Sequence, residues 1–254
     1  MDEKEPYIHS EEFQKKVSKV GPDSDFSYRS KFDPAPSSEL KRKTQTAKKR
    51  VILSNPRLLV VAGPNGSGKS SIITSTDIVE RYEENIINPD NYARNLSDID
   101  DLVAKYAFAM EQCELLRKNL LENRVTFGVE TVASTQGKID LVKKAIEKGF
   151  EIDLIFVALK SPELCCERIK ARVSRGGHDV DSSKVFSRYE KTMGFLKEYI
   201  ELADEARIFD NSGGSPAVVF VKKGNEMMIL KNPSDIPWVE KYIYKFFKDS
   251  QRVL

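Results

Sequence analysis

A glycine-rich loop with one lysine and neighbouring serines is the strongest chemical signal in this 254-residue sequence. The segment GPNGSGKS matches the pattern GxxxxGK[ST], in which backbone N–H groups converge on an anion because glycines leave the approach open. The lysine of this pattern reaches the β- and γ-phosphates of a nucleotide, and the last hydroxyl can ligate Mg²⁺. The predicted phosphate-binding residues are Gly63, Pro64, Asn65, Gly66, Ser67, Gly68, Lys69, Ser70 and Ser71, with Ser70 as the metal ligand.

The sequence around the loop supplies the elements that this chemistry needs. RLLVVAG (57–63) is a continuous apolar run, which predicts a strand buried on both faces, and KSSIITSTDIVERY (69–82) predicts a helix. A helix that begins at the loop points its positive dipole end at the bound phosphates. The alternative is a glycine turn without a ligand, and the strand–loop–helix context argues against it.

Two acids follow other predicted strands: Asp90 comes after IINP, and Glu130 ends VTFGVE. Ligands of open parallel sheets bind beyond the carboxyl ends of the strands, so both acids lie near the loop if their strands neighbour the first one. A carboxylate there can accept the proton of an acceptor hydroxyl or support magnesium. The alternatives are helix capping or solvation, and for Asp90 also a turn after Pro89.

Three arginines, Arg168, Arg172 and Arg175, recur at spacings of four and three and are predicted to face one side of a helix. Guanidinium groups stay protonated and neutralise the charge that spreads over a phosphoryl group during transfer. The GGH segment (176–178) then breaks the helix, and Arg188 lies on the next one. A nucleotide-kinase lid needs such a helix–loop–helix, whereas the alternative is a solvated basic face with salt bridges.

Strand and helix patterns alternate along the chain. Apolar runs predict further strands at EIDLIFVAL and ARIFD, and STQGKIDLVKKAIEKG predicts a helix capped by Ser134. AVVFVKKGNEMMIL predicts a hairpin, and PWVEKYIYKFF predicts a closing amphipathic helix. The predicted fold class is α/β: a P-loop nucleoside triphosphate hydrolase fold, nucleotide-kinase-like, with a mostly parallel sheet flanked by helices, a helical lid, and a C-terminal hairpin plus helix.

Composition excludes several classes of protein. The chain has 41 Lys and Arg against 39 Asp and Glu, so charge gives no reason to expect nucleic acid or a membrane as a partner. No apolar run approaches the roughly 20 residues that cross a bilayer, and the N-terminus lacks a secretory apolar stretch. The three cysteines form no CxxC pair, which predicts reduced thiols in a cytoplasmic protein.

Several motifs, in order, resemble the zeta toxin family of P-loop kinases. They are AGPNGSGKSS, NPDNYA (88–93), VETVAS (129–134), RIKARVSRGGHDV (168–180), SRYEKT (187–192) and DNSG (210–213). The phosphate loop alone is generic, whereas the ordered set is specific. The resemblance implies an ATP- and Mg²⁺-dependent kinase that phosphorylates a hydroxyl of a sugar nucleotide, best known as UDP-N-acetylglucosamine. It also implies an antitoxin protein as a partner that blocks the nucleotide site.

The resemblance also assigns roles to residues. Lys69 and Ser70 would hold ATP and magnesium, Asp90 aligns with the general base, and Glu130 contacts substrate or metal. Arg172 and Arg175 fall in the phosphate-clamping segment. The PNG interior of the loop and the GGH segment resemble a broad branch of the family, so kinase chemistry transfers better than the sugar-nucleotide substrate, and toxicity transfers least.

The sequence divides into a polar, proline-broken extension (1–50), partly disordered or regulatory, and a zeta-toxin-like kinase domain (51–254). The extension is also interpreted as a built-in antitoxin, although its length and prolines argue against a three-helix antitoxin. Three alternatives to the sugar-nucleotide kinase stay open: another small-molecule or nucleotide kinase on the same fold, an ATPase switch without an acceptor, and a nucleotide-binding regulator.

Overall fold

The computed structural model describes residues 55–75, 86–175 and 180–248. Their strands form one sheet in the order β2-β3-β1-β4-β5-β6-β7. The first five strands run parallel and the last two are antiparallel, which confirms the predicted parallel sheet with an added hairpin. The strands are β1 (Arg57–Ala62), β2 (Ile86–Ile87), β3 (Phe127–Thr131), β4 (Glu151–Ala158), β5 (Glu205–Asp210), β6 (Ala217–Lys223) and β7 (Glu226–Ile229).

Helices lie between the parallel strands along the chain, because parallel neighbours need a crossover connection. The C-terminal helix that we predicted over PWVEKYIYKFF is interrupted by a π-helical turn (Glu240–Tyr244), and a 3₁₀ turn (Pro233–Asp235) precedes it. The helices are α1 (Lys69–Ser75), α2 (Pro89–Arg94), α3 (Leu102–Glu122), α4 (Gln136–Glu147), α5 (Pro162–Val173), α6 (Ser182–Leu202), α7 (Pro237–Val239) and α8 (Lys245–Phe247).

The central strands are buried on both faces. Alternate residues of β1 divide between two cores: Leu58 and Val60 pack on one face, and Leu59 and Val61 on the other. The first face packs against buried apolar side chains of α3, α4, α6 and the C-terminal helix, while the second packs against Ile72 of α1. These continuous apolar strands therefore hold the loop between β1 and α1 on a rigid base.

Capping residues set where the helices begin. Ser161 accepts a hydrogen bond from the backbone N–H of Leu164, with Pro162 at the first helical position. The prediction for α4 was wrong by one residue, because Thr135 rather than Ser134 is the N-cap. Thr135 makes no side-chain hydrogen bond as the cap. The adjacent Ser134 and Thr135 are both good capping residues, so the sequence could not show which of them caps α4.

Three predictions fall on residues outside the described ranges. They concern the extension 1–50, the second half of the first helix (76–82), and the GGH segment with His178. Trp238 lies in the core at 3% exposure.

Candidate functional site

The glycine loop between β1 and α1 is shaped by close backbone contacts. Gly63, Gly66 and Gly68 all have positive φ, at 145°, 74° and 91°. A Cβ atom on Gly63 would stand 2.1 Å from the Val157 carbonyl oxygen, and one on Gly66 would stand 2.7 Å from a backbone oxygen of α5. Only glycine fits both the conformation and the space, so these residues wrap the loop tightly over the ends of β4 and α5.

Lys69 is folded back onto this loop. Its Nζ donates to the carbonyl oxygens of Gly63 and Pro64, both at 2.9 Å, and the residue is 9% exposed. Burial lowers the pKa of Lys69, and the nearby Glu130 carboxylate opposes that shift. The ammonium group is therefore held beside the loop by two neutral acceptors, which a phosphate anion can replace.

Two polar atoms of the loop are buried without a hydrogen-bond partner: Asn65 Oδ1 and Ser67 Oγ. Orphaned buried polar atoms are rare in folded proteins, and they concentrate where a ligand completes the bonding. Their position inside the phosphate loop fits a nucleotide site.

A chain of hydrogen bonds links the loop to α2. Ser70 Oγ donates to Glu130 Oε1 at 3.0 Å, and Asn88 Nδ2 donates to Glu130 Oε2 at 2.7 Å. Glu130 lies on β3, directly beside β1 and opposite Val61, as the acid-after-strand pattern requires. A hydroxyl and a carboxylate oxygen at this spacing are hard ligands of the kind that Mg²⁺ prefers.

Asp90 reaches the same region by a different route. Its strand, β2, pairs with β3 and not with β1, so the condition that the strand before Asp90 neighbours the first strand is not met. Nor is it a turn residue: it lies in the first turn of α2, where its backbone N–H donates to Asn88 Oδ1 at 2.8 Å. Burial lowers the pKa of Lys69, and the exposed Asp90 carboxylate lies close enough to that lysine to oppose the lowering slightly.

The three arginines do not lie together on one face of a helix. Arg168 turns to the end of β5, where it donates to the Asn211 carbonyl at 2.6 Å and the Gly213 carbonyl at 3.4 Å. Arg172 lies near enough to Lys69 to lower the pKa of that lysine. Helix α5 ends at Val173, so Arg175 lies exposed in the turn beyond it. The helical spacing therefore overestimated how far α5 extends.

Two asparagines of the quoted motifs, Asn88 and Asn211, were not among the predicted site residues. Asn88 joins Glu130 to the helix of Asp90, and its signal is an amide directly before a proline at the start of a helix. Asn211 donates to the Ser67 carbonyl at 2.8 Å and lies against Gly68. No local pattern reveals this second contact, because it joins residues 144 positions apart.

Two side chains of the SRYEKT motif, on α6, donate hydrogen bonds to the chain segments that follow β3 and β4. Tyr189 donates to the Leu159 carbonyl at 2.7 Å, and Thr192 donates to the Val132 carbonyl at 2.7 Å. Both bonds run from α6 to the chain just beyond β3 and β4. The motif thus fixes the loops that follow the two strands beside β1.

Comparison with known proteins agrees with the family resemblance of the motifs. The family model described as "Zeta toxin" matches residues 39–235. This chain belongs to the zeta toxin family. Family membership and the kinase-like fold make it a P-loop phosphotransferase, as the ordered motifs predicted.

Related proteins and structures lie at low identity. An uncharacterized protein of Haemophilus influenzae is 29% identical over 151 residues, covering 56% of this chain and 99% of that protein. A structure of AvrRxo1-ORF1:-ORF2 with ATP has a TM-score of 0.62 at 17% identity, covering 74% of this chain and 63% of that one. A chain of the PezAT chromosomal toxin-antitoxin system of Streptococcus pneumoniae has a TM-score of 0.50 at 16% identity, covering 84% and 88%.

These neighbours support the fold of the zeta toxin family, and this chain spans less than two thirds of the AvrRxo1 chain. Within the described ranges, no helix combines the length and the apolar character needed to span a membrane. The same ranges contain no group of three or more His, Cys, Asp or Glu residues that would hold a metal alone. A Mg²⁺ ion at Ser70 and Glu130 would take its remaining ligands from phosphate oxygens and water, as is usual for Mg²⁺ in phosphoryl-transfer sites.

Proposed function

We propose that this zeta toxin family member is an ATP- and Mg²⁺-dependent kinase that phosphorylates a hydroxyl of a small molecule. The acceptor is a sugar nucleotide such as UDP-N-acetylglucosamine, the class that the motif resemblance implies. One observation carries the proposal: the hydrogen-bond chain Ser70–Glu130–Asn88 joins the phosphate loop to the helix that carries Asp90. The phosphate donor at the loop and the proton-accepting carboxylate of Asp90 would thereby lie on opposite sides of the acceptor hydroxyl.

The donor side is built from the loop. Lys69 would leave the carbonyls of Gly63 and Pro64 and bind the β- and γ-phosphates of ATP, because an ionised partner gives a stronger hydrogen bond than a neutral one. Ser70 and Glu130 would hold Mg²⁺, which supplies charge neutralisation at the phosphates when it is bound. The backbone N–H groups of the loop and the start of α1 would surround the rest of the phosphate chain.

The acceptor side is built around Asp90. Its carboxylate would accept the proton of the acceptor hydroxyl as that oxygen bonds to the γ-phosphorus, while the bond from phosphorus to the ADP oxygen breaks. Asn88 would fix the position of Asp90 through the cap of α2. Arg172, which already lies near Lys69, and Arg175 would neutralise the charge that develops on the transferring group.

We further propose that the protein is the toxin of a toxin–antitoxin pair, with the antitoxin as a separate chain. The family name and the PezAT neighbour support this proposal. Growth after induction of the wild-type chain, compared with Lys69→Ala, tests it. Arrest with the wild type alone is the expected result, and equal growth of both strains would count against toxicity while leaving the kinase proposal standing.

The kinase proposal is tested by ATP consumption with a panel of UDP-sugars and other hydroxyl metabolites, with mass spectrometry of the products. We expect acceptor-dependent turnover with UDP-N-acetylglucosamine that Asp90→Ala abolishes and Asp100→Ala preserves, because Asp100 is exposed and outside the chain of contacts. ATP hydrolysis without acceptor dependence, unchanged in Asp90→Ala, would instead support the ATPase switch. Turnover confined to another hydroxyl compound would retain the kinase and replace the substrate.

A further inference from the structure

The peptide that joins Ser67 to Gly68 in the phosphate loop is held by a side chain from outside the loop. Asn211, the residue after β5, donates from Nδ2 to the Ser67 carbonyl oxygen at 2.8 Å. A carbonyl oxygen can only accept a hydrogen bond, so the amide nitrogen of Asn211 must face it. A Cβ atom on Gly68 would stand 2.6 Å from the same nitrogen, so a side chain at position 68 would displace Asn211. The bond reaches the loop across the end of β4, which lies between β1 and β5.

The planar geometry of this peptide couples its carbonyl group to its N–H group. The described residues contain no cis peptide bond, and in a trans peptide the two groups point in opposite directions. Because Asn211 holds the Ser67 carbonyl on its own side, the Gly68 N–H points away from Asn211. Among the residues that the structure describes, this N–H donates to no acceptor. It is therefore available to a phosphate, like the other N–H groups that converge on an anion in such loops.

The backbone of Asn211 is itself fixed on two sides. Its N–H donates to the carbonyl oxygen of Ala158, the last residue of β4, at 2.9 Å, and its carbonyl oxygen accepts from Arg168 of α5 at 2.6 Å. The hydroxyl of the next residue, Ser212, accepts from the Lys160 N–H at 2.7 Å. A side chain can orient a loop only when its own backbone is held in place. These contacts give the half-buried Asn211 that support.

We propose that Asn211 is a positioning residue for the nucleotide. It fixes the Ser67–Gly68 peptide so that the Gly68 N–H is aimed at the phosphates before ATP arrives. Gly68, with φ at 91°, adopts many backbone conformations, so an unheld peptide could rotate and turn the Ser67 carbonyl oxygen towards the phosphates instead. Such a rotation would replace an attraction by a repulsion, and preventing it in advance saves ordering cost on binding. The inference rests on the nucleotide binding of the proposed function and holds for any acceptor.

Direct binding of ATP to the full chain, measured by calorimetry, tests the inference without turnover. Asn211→Ala should weaken ATP binding about fivefold to tenfold, the effect of one neutral hydrogen bond. Asn119→Ala, which removes the same amide from an exposed position of α3, is the matched control and should leave the affinity unchanged. Equal ATP affinity in the wild type, Asn119→Ala and Asn211→Ala would overturn the inference.

Asn211→Asp keeps the shape of the side chain and makes its donor depend on pH. At about pH 8 the ionised carboxylate cannot donate and places a negative charge beside the loop, so ATP binding should fall more than about tenfold. At about pH 5 the protonated fraction can donate from its O–H to the Ser67 carbonyl, because nearby carbonyl and phosphate oxygens raise the pKa of an introduced carboxyl group. The loss relative to the wild type at the same pH should therefore shrink about threefold or more. A loss that is the same at both pH values would indicate packing alone and refute the donor role, and this variant also serves if Asn211→Ala fails to fold.

Kinetics separate this inference from the kinase proposal. Asn211→Ala should raise KM for ATP about fivefold to tenfold and leave KM for the acceptor constant, since Asn211 contacts only the nucleotide side. A raised KM for the acceptor with unchanged ATP affinity would refute the inference and keep the kinase. Weaker ATP binding in Asn211→Ala, in a protein that phosphorylates no acceptor, would keep the inference and refute the kinase.

Discussion

Asn88 performs two tasks, and substitution can separate them. Its Oδ1 caps α2 by accepting from the Asp90 backbone N–H at 2.8 Å, and its Nδ2 donates to Glu130 at 2.7 Å. Loss of an N-cap costs about 1 kcal/mol, and loss of a hydrogen bond to a charged group costs about 1.5 kcal/mol when the pair is partly solvated. Asn88→Ala should therefore lower the free energy of unfolding by about 2 to 3 kcal/mol.

A graded series tests this assignment. Asn88→Ser keeps a capping oxygen without the donor, so it should regain about 1 kcal/mol relative to Asn88→Ala. Asn88→Asp also keeps the cap but places a second carboxylate against Glu130, so it should retain helix capping and lose most of the kinase activity. Asn95→Ala, at the exposed C-terminal end of the same helix, is the control and should change little.

Urea unfolding and the acceptor-dependent rate are measured on each variant. In a protein of this size, 1 kcal/mol corresponds to a shift of about 2 to 4 °C in melting temperature, so thermal unfolding resolves the series as well. Identical stability of Asn88→Ser and Asn88→Ala would refute the capping role. A full rate in Asn88→Ala, with the expected loss of stability, would refute the idea that Asn88 positions Asp90 and Glu130 for chemistry.

Three further predictions concern the loop and two buried lysines. Gly63→Ala should abolish nucleotide binding, measured by calorimetry, because its Cβ would stand 2.1 Å from the Val157 carbonyl oxygen; retained affinity would mean that the strand below can yield. Lys69→Met should eliminate turnover yet leave the melting temperature unchanged or raised, because burial disfavours the charge and lowers the pKa of Lys69; a clear loss of stability would contradict this. Burial also lowers the pKa of Lys222, so between that lowered pKa and 10.5 the unfolded chain holds the proton more tightly, and this group makes stability rise with pH. The slope of unfolding free energy against pH in that alkaline range should therefore be smaller in Lys222→Met, and equal slopes would exclude this contribution.

Features that depend on local sequence could be predicted well. The strand–loop–helix order around the phosphate loop follows from an apolar run, glycines and a helix start, and all three are present. Glu130 could be placed because an acid at the end of a buried strand reaches the carboxyl edge of the sheet wherever that strand pairs. The hairpin could be predicted because KKGN supplies a glycine, and Gly224 has the positive φ, 57°, that the turn needs.

Features that depend on strand order or on contacts between distant residues could not be predicted from the sequence. The sequence of β2 does not reveal that β3 separates it from β1, so whether the strand before Asp90 neighbours the strand of the phosphate loop could not be predicted. Arg168 and Arg172 lie one turn apart on α5, and only the tertiary fold brings the Asn211 carbonyl to Arg168. Helical periodicity likewise cannot show that α5 ends before Arg175, because the break depends on residues that follow.

The indole of Trp238 donates to Asp210 Oδ1 at 3.2 Å, and the next residue, Asn211, holds the phosphate loop at Ser67. Trp238 is the only tryptophan in the chain. The emission of a single fluorophore therefore originates two steps from the nucleotide loop, without any label or engineered probe. Quenching or a spectral shift on addition of ATP would give a stopped-flow signal for nucleotide arrival, recorded separately from the chemistry that follows.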